Sequence, residues 1–311
     1  YQGVWSLSEQ YQNASGWPLP PASPIGLFGG GYDTGNSNVI QSILITTLGN
    51  STDFGDLSVT FSSLAALSSS VRGVFGNGRQ DGSSPGNRIE FVTFASAGNS
   101  TDFGDTTVAV RNSTGCSSST RGVFMGGANS SNTRLDVMDY ITIASAGNAT
   151  DFGNLTAAKS NGNGSNSSTR GIYALGYISA ITNVIEYVTI ASAGNGTDFG
   201  DATVARLSPA NGVISSGTRG VFGSGRLNTI DYITIATTGN ALDFGDLLAV
   251  SEAPASCSST VRGIIAGGDN PSSNVIQYIT ISSTGNATDF GDLLANKSSM
   301  AGCSAVHGGL S

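Results

Sequence analysis

The chain has 311 residues, a net charge of −8 and only 11% charged residues, against roughly a quarter in average proteins. That balance excludes a general nucleic-acid surface, which rests on clustered Lys and Arg, and no apolar run approaches the ~20 residues a membrane-spanning helix needs. Gly, Ser, Thr and Asn stand where Glu, Lys and Arg would, which excludes long solvated helices.

Residues 1–23 come first and do not repeat. They hold both tryptophans of the chain, Trp5 and Trp17, with Val4, Leu7 and Tyr11 between or beside them. Exposed Trp is costly, so this arm is expected to be buried against the rest of the chain or against another protein.

From residue 24 onward one unit recurs. The phrase Thr-Asp-Phe-Gly-Asp or a near copy places Phe54, Phe103, Phe152, Phe199, Phe244 and Phe290 at spacings of 49, 49, 47, 45 and 46 residues. A period of that size marks one supersecondary unit stacked on its own copies. Within the unit from Gly115 to Thr156, Arg121-Gly-Val-Phe-Met-Gly-Gly127 leads through a polar loop to Val137-Met-Asp-Tyr140-Ile-Thr-Ile143. A Gly-Asn turn and the Asp151-Phe152 segment follow. Alternation and β-branched residues read as strands, and Gly-Gly and Gly-Asn read as turns. About four strands per unit is the arithmetic of a propeller blade.

The Gly doublets are Gly29-Gly30, Gly126-Gly127 and Gly267-Gly268, loosened to Gly76-Asn77-Gly78, Leu175-Gly176 and Gly223-Ser224-Gly225. The following strand carries Tyr140, Tyr187, Tyr232 and Tyr278, with Phe91 and Ser42 at the matching places. This order resembles a kelch repeat, with the Phe of Asp-Phe-Gly in place of the kelch Trp. The first unit begins at a second strand, Ile25 to Gly30, and the chain finishes on a first strand, Met300 to Val306. The expected fold is therefore an all-β, six-bladed propeller over residues 24–311, closed by the C-terminal strand pairing with the N-terminal blade. Closure would remove exposed strand edges.

Residues present in every copy are expected to be structural. Arg72, Arg121, Arg170, Arg219 and Arg262 share one repeat position, with Ile25 in the first unit; each Arg is expected to bond to carboxylates or carbonyls within or between blades. Asp53, Asp102, Asp151, Asp198, Asp243 and Asp289 precede the six Phe residues and read as turn residues, with calcium binding the other reading; the ligand ladder of a calcium loop is missing. Cys116, Cys257 and Cys303 alternate with Leu67, Ser165 and Ile214 at another position, as small buried hydrophobes would. No metal site is expected. Asp-Phe-Gly also occurs in protein kinases, but six copies without a phosphate loop do not make one.

Catalysis is not expected, nor is a cofactor. The only histidine is His307, which excludes multi-His centres and His-based triads. Function is expected in the loops after the Gly doublets, which vary most and should emerge on one face. Arg79, Arg134, Tyr177, Arg226 and Asp269 are the contact candidates, Tyr and Arg being common interface anchors; ordinary exposed loop residues are the other reading.

The arm's Val4-Trp-x-Leu-x-Glu-Gln pattern and Trp17-Pro18 are similar to a segment of tail-fibre and other structural proteins of bacterial viruses. Ile230 to Ile235 and Gly285 to Asp292 resemble repeats of virion proteins from marine viruses. The likeness implies a structural or adhesion component on a virion surface or tail. Its arm would bind other virion proteins and its disc a host glycan or protein, in multiple copies per particle, without nucleic acid and without membrane insertion. A free carbohydrate-binding lectin and an intracellular adaptor are the alternatives.

Overall fold

The computed structural model describes residues 24–82, 84–207 and 211–310. The arm, with Val4, Trp5, Leu7, Tyr11 and Trp17, lies outside the described residues. The rest is a six-bladed β-propeller of antiparallel, four-stranded blades. From the axis outward, blade 2 is Ala65–Ser68, Arg72–Gly76, Gly86–Thr93 and Thr101–Val110; blade 3 is Thr114–Ser117, Arg121–Met125, Val137–Thr142 and Thr150–Asn154. Blade 4 is Asn163–Asn166, Arg170–Ala174, Val184–Thr189 and Thr197–Asp201; blade 5 is Ile214–Ser215, Arg219–Gly223, Leu227–Thr234 and Leu242–Ser251. Blade 6 is Ala255–Ser258, Arg262–Ala266, Val275–Thr280 and Thr288–Asp292.

Blade 1 is built from both ends of this stretch. Ile25–Tyr32, Ser37–Leu44 and Thr52–Ser62 form its outer three strands, and Ser298–Ser304 pairs antiparallel with Ile25–Tyr32 as the innermost. The expected closure is thus present.

Alternation sends apolar side chains to the two faces of each blade, and the core is divided into six clusters, one between each pair of neighbours. Between blades 3 and 4, Val123, Met125 and Phe152 meet Tyr173, Val188 and Ile190. Phe152 reaches that position through a β-bulge. The register slips between Met138 and Asp139, so the Phe turns inward while Asp151 stays exposed. Every blade has this slip at its Asp-Phe-Gly. In five blades the Phe meets the ring of the third strand edge-on at 5.9–6.2 Å, a favoured geometry.

The bulge is also where the blades are joined. Between blades 1 and 2, the Gly98 and Ser100 N–H groups donate to the Phe54 and Asp56 carbonyls, both at 2.8 Å. The Asp56 N–H donates back to Asn99 Oδ1 at 3.0 Å. The same three bonds recur at all six interfaces, with Asn148, Asn195, Asn240, Asn286 and Asn50 in turn as acceptors. Glycine is required at the bulge. A Cβ on Gly200, whose φ is +142°, would stand 2.5 Å from the Gly239 carbonyl oxygen of blade 5.

A fourth repeated contact was not read from the sequence. Gln41, Glu90, Asp139, Glu186, Asp231 and Gln277 sit at one third-strand position, all buried. Each accepts a bond from the outer strand of the preceding blade: Leu294 N–H to Gln41, Ser58 N–H to Glu90, Thr107 N–H to Asp139, Thr156 N–H to Glu186, Thr203 Oγ1–H to Asp231 and Leu248 N–H to Gln277. Lys159 pairs with Glu186, and Arg206 with Asp231 at 2.9 Å, both fully buried. Such pairs fix register more than they stabilise.

The repeated arginines complete five of the six interfaces; blade 1 has Ile25 in that place. Arg72, Arg170, Arg219 and Arg262 donate to the Ile143, Ile235, Ile281 and Ile45 carbonyls of the next blade at 2.8–2.9 Å. Arg121 donates to Ile190 at 3.1 Å and Ala191 at 2.8 Å. Each guanidinium lies over its own blade's Phe91, Tyr140, Tyr187, Tyr232 or Tyr278 ring at 4.3–4.6 Å. Their acceptors are backbone carbonyls. Asp102, Asp53, Asp198, Asp243 and Asp289 are exposed like Asp151. All three cysteines are buried and unbonded, and burial pushes the Cys116 thiol up to about 12.

The axis is filled. Asn211–Gly212 runs parallel to Ala255–Ser256, and Val213 bridges to Gly164. A Cβ on Gly212 would meet the Gly302 carbonyl at 2.9 Å. Where the inner strands end, a ring of hydroxyl and amide donors passes from blade to blade: Ser68 to Ser304, Ser304 to Ser258, Ser258 to Ser215, Ser215 to Asn166 and Asn166 to Ser117. His307 fills the remaining seam. Gly309 N–H donates to its Nδ1 at 3.1 Å, so the proton sits on Nε2, which donates to the Ser68 carbonyl at 3.2 Å.

Two outcomes follow from these contacts. Gly200→Ala should lower unfolding stability by at least about 2 kcal/mol, and Asn240→Ala by about 1 kcal/mol, measured by urea denaturation. Burial lowers His307 to about 4 from 6.5, although its bond to Ser68 acts the other way. Below pH 6.5 the unfolded chain takes up a proton that the fold refuses. Stability should therefore be full above pH 6.5 and fall by about 3 kcal/mol as pH drops through 4, a loss that His307→Gln should remove.

Candidate functional site: the polar cup on the loop face

Antiparallel strands put the second-to-third-strand loops and the blade-to-blade connections on one face. The turns that lead into Arg72 and its copies, and the Gly-Asn turns, lie on the other. The second strands end in a pair of residues with positive φ: Gly30-Gly31, Asn77-Gly78, Gly126-Gly127, Leu175-Gly176, Ser224-Gly225 and Gly267-Gly268. In blade 1 the pair lies one residue later than the doublet read from the sequence. The second member is Gly in all six blades, while the first accepts Asn, Leu and Ser.

Each pair throws the chain into a loop, and in blades 2, 3, 4 and 6 that loop is clipped onto the preceding blade; in blade 5 Gly225 and Arg226 N–H donate to Ser251 of the same blade. Ala128 exchanges two backbone bonds with Arg111, Tyr177 with Ser160, and Asp269 with Glu252, at 2.7–3.2 Å. The strand Arg79–Gln80 pairs with Phe61–Ser62. The loop face is therefore a held surface. Blade 5 has the shortest loop, since its third strand already begins at Leu227.

Beneath these loops the connections form a floor. Ser63, Asn112, Asn161, Ala253 and Ser299 each take φ between 52° and 58°. Asn161 N–H donates to Asn112, Asn112 to Ser63, Ser63 to Ser299 and Ser299 to Ala253, all at 2.8–2.9 Å. Over this floor opens a polar cup of about 370 Å3, walled by Tyr32, Arg79, Arg226, Glu252, Asp269 and Asn270. Arg79, Arg226 and Asp269 were candidates from the sequence, and the fold brings them together here. Arg134 and Tyr177 are elsewhere on the same face, where the Arg134 guanidinium lies 4.2 Å above the Tyr177 ring, joining blades 3 and 4.

The cup is electrostatically divided. On one wall Glu252 accepts from Arg226 Nε at 2.8 Å and from Asn270 Nδ2 at 2.6 Å. Burial would raise the Glu252 carboxyl, but those donors and the Arg226 charge outweigh it and hold it below the ordinary value. Glu252 is thus an ionised acceptor and a poor proton donor. Beside Arg79, just outside the cup's lining, Arg111 donates to Asn132 Oδ1 at 3.1 Å and is lowered by its own burial and by the charge of Arg79. Neither Arg79 nor Arg111 has an acidic partner among the described residues, and the shielded Nε of each has no acceptor. Two guanidinium groups so placed favour an anion between them.

Sequence reading missed Tyr32, Arg111, Asn112, Asn161, Glu252 and Asn270. Most lie in the connections between blades, away from the loops after the Gly doublets where contact residues were expected. The signal available was the Asn recurring after the outer strand, at Asn112 and Asn161. Among the described residues, no group of three or more His, Cys, Asp or Glu stands together as a metal site.

No protein-family model and no curated protein matches this chain.

If the paired guanidinium groups hold an anion, millimolar sulfate should raise the melting temperature at constant ionic strength. Arg79→Gln should abolish that rise, read by differential scanning fluorimetry against chloride.

Proposed function

We propose that the protein is a non-catalytic adhesion disc of kelch-like type. In this reading it is carried on a bacteriophage particle and binds a host-surface carbohydrate in the cup of the loop face. One observation carries the reading: the two working ends of the chain are on opposite faces. The arm joins the disc at Pro24, beside Ile45 on the turn face, whose N–H donates to the Pro24 carbonyl at 2.8 Å. The cup opens on the other face. A particle component needs this arrangement, with anchor below and contact surface above.

The chemistry of the cup suits a sugar. Carbohydrate hydroxyls are donors and acceptors at once, and the cup offers Asn and Ser groups beside an ionised Glu252 and the guanidinium of Arg226. Tyr32, 46% exposed at its rim, supplies a ring face for a pyranose. The six-fold clamps support a rigid scaffold, on which binding loses little conformational entropy. The virion location rests on the likeness of the repeats and arm to viral structural proteins. The kelch-like character rests on strand order, the Gly-ended second strand and the ring on the third.

The roles separate by mutation. Arg226→Ala and Asp269→Ala should each weaken retention on a glycan array at least tenfold, with the melting curve changed little. Removal of residues 1–23 should leave glycan retention intact and abolish recovery of the protein with purified particles. A disc that binds no glycan, or an armless disc that still sediments with particles, refutes the corresponding half.

A further inference from the structure

Blade 1 departs from its five copies around a single groove. The other blades begin their second strand with Arg72, Arg121, Arg170, Arg219 or Arg262, where blade 1 has Ile25. They carry Phe91, Tyr140, Tyr187, Tyr232 or Tyr278 where blade 1 has Ser42. Thr93, Thr142, Thr189, Thr234 and Thr280 become Leu44, and Ala97, Ala146, Ala193, Thr238 and Thr284 become Leu48. Four independent positions have all lost a polar, aromatic or small residue for an aliphatic or short one.

Those four residues line one cavity. It measures about 360 Å3 and is walled by Ile25, Ser42, Ile43, Leu44 and Leu48. The equivalent crevice on blade 4, walled by Tyr187, Thr189 and Ala193, measures about 180 Å3. Blade 1 thus has twice the space where its copies hold a ring under a guanidinium. Its surface is apolar: Leu44 and Leu48 are 52% and 56% exposed. Ser42 makes no demand on a ligand, since its hydroxyl already bonds to Thr52 Oγ1 at 3.1 Å. The groove accepts a flat apolar group.

We propose that the indole of Trp17, from the chain's own arm, seats in this groove and replaces the aromatic ring that blade 1 lacks. Ile25 is a wall of the groove, and Pro24 is fixed beside it through its bond from Ile45, so the arm emerges at the rim. Trp17 precedes Pro24 by seven residues, Trp-Pro-Leu-Pro-Pro-Ala-Ser-Pro. At about 3.1 Å per residue for a proline-rich segment, the tether reaches ~22 Å, enough to cross the blade edge and return. Proline also limits the entropy lost on docking. Trp5 is on a tether nineteen residues long, and a shorter tether gives the higher effective concentration. In this arrangement residues 17–24 belong to the disc, and residues 1–16 with Trp5 remain for the partner.

Tryptophan fluorescence tests this directly, because the arm holds the only two tryptophans. In a Trp5→Phe background, Trp17 is the sole indole. Its emission should be blue-shifted relative to free indole and resist acrylamide quenching. The double variant Ile25→Arg with Ser42→Tyr restores the pattern of the other five blades and should fold, its new guanidinium facing the Phe94 carbonyl. It should expel the indole, shifting emission to the solvent value and raising quenching severalfold. A second variant, Leu48→Asp on the exposed rim, should act in the same direction. Solvent-like emission before any groove substitution overturns the proposal. So does buried emission that ignores both variants, which would put the indole elsewhere. A blue shift that fades on dilution, with a dimer in light scattering, would mean that a second copy's arm fills the groove and would overturn docking in cis.

Discussion

Everything in this molecule depends on how a bulge in one sheet is gripped by a turn from the next. The Asp-Phe-Gly bulge exposes a carbonyl, an amide and a second carbonyl along an outer strand that would otherwise be a bare edge. The Gly-Asn turn of the following blade supplies two N–H donors and one side-chain acceptor to match them. The same slip that makes the bulge turns the Phe into the core, so sheet pairing, hydrophobic packing and blade docking share one local deformation. Individually such bonds contribute about 1 kcal/mol. Repeated at all six interfaces, they give every joint of the ring the same clasp, the joint between blade 6 and blade 1 included.

That equality is relaxed at other repeated positions. The buried acceptor is Gln in two blades and a carboxylate in four, and a cationic partner is present for only three of them, Arg88 beside Glu90, Lys159 beside Glu186 and Arg206 beside Asp231. Burial raises the Asp139 carboxyl above its ordinary range even though Thr107 donates to it. Such positions preserve geometry while tolerating chemistry. The loop face goes further: its clips are backbone bonds, so they place no demand on residue type at Arg79 and Asp269. Both faces are built from the same strands, yet only one is relieved of repeat chemistry.

Much of this was legible in the sequence, because a period of 45–49 residues with fixed Phe, Tyr and Gly positions leaves few folds open. The blade count, the four-strand arithmetic and the closing strand all came from where the pattern starts and stops. The meaning of individual repeated residues was harder. Gly-Asn looked like an ordinary turn because turn propensity explains Gly-Asn by itself; its second role, accepting a bond from a residue some forty positions back, is a property of the stacked ring. The acid or amide before each Tyr was overlooked for the opposite reason. An alternating strand leaves such a residue looking solvent-facing, and only the neighbouring blade buries it. The cup was half visible: Arg79, Arg226 and Asp269 stood out by residue type, but Glu252 and Asn112 sit in connections between blades, outside the loops where contact was expected. Arg134 and Tyr177, equally prominent, found each other instead.

The inner strand of blade 1 carries a consequence for how the molecule comes into being. Residues 298–304 arrive some 270 positions after the strand they pair with, and His307 seals the axial ring only after that. A chain emerging from the ribosome can assemble blades 2 to 6 in order, yet it remains an open arc with a raw edge at its leading blade until residues 298–307 are released. A product cut short before residue 298 keeps five whole blades and still cannot become a wheel.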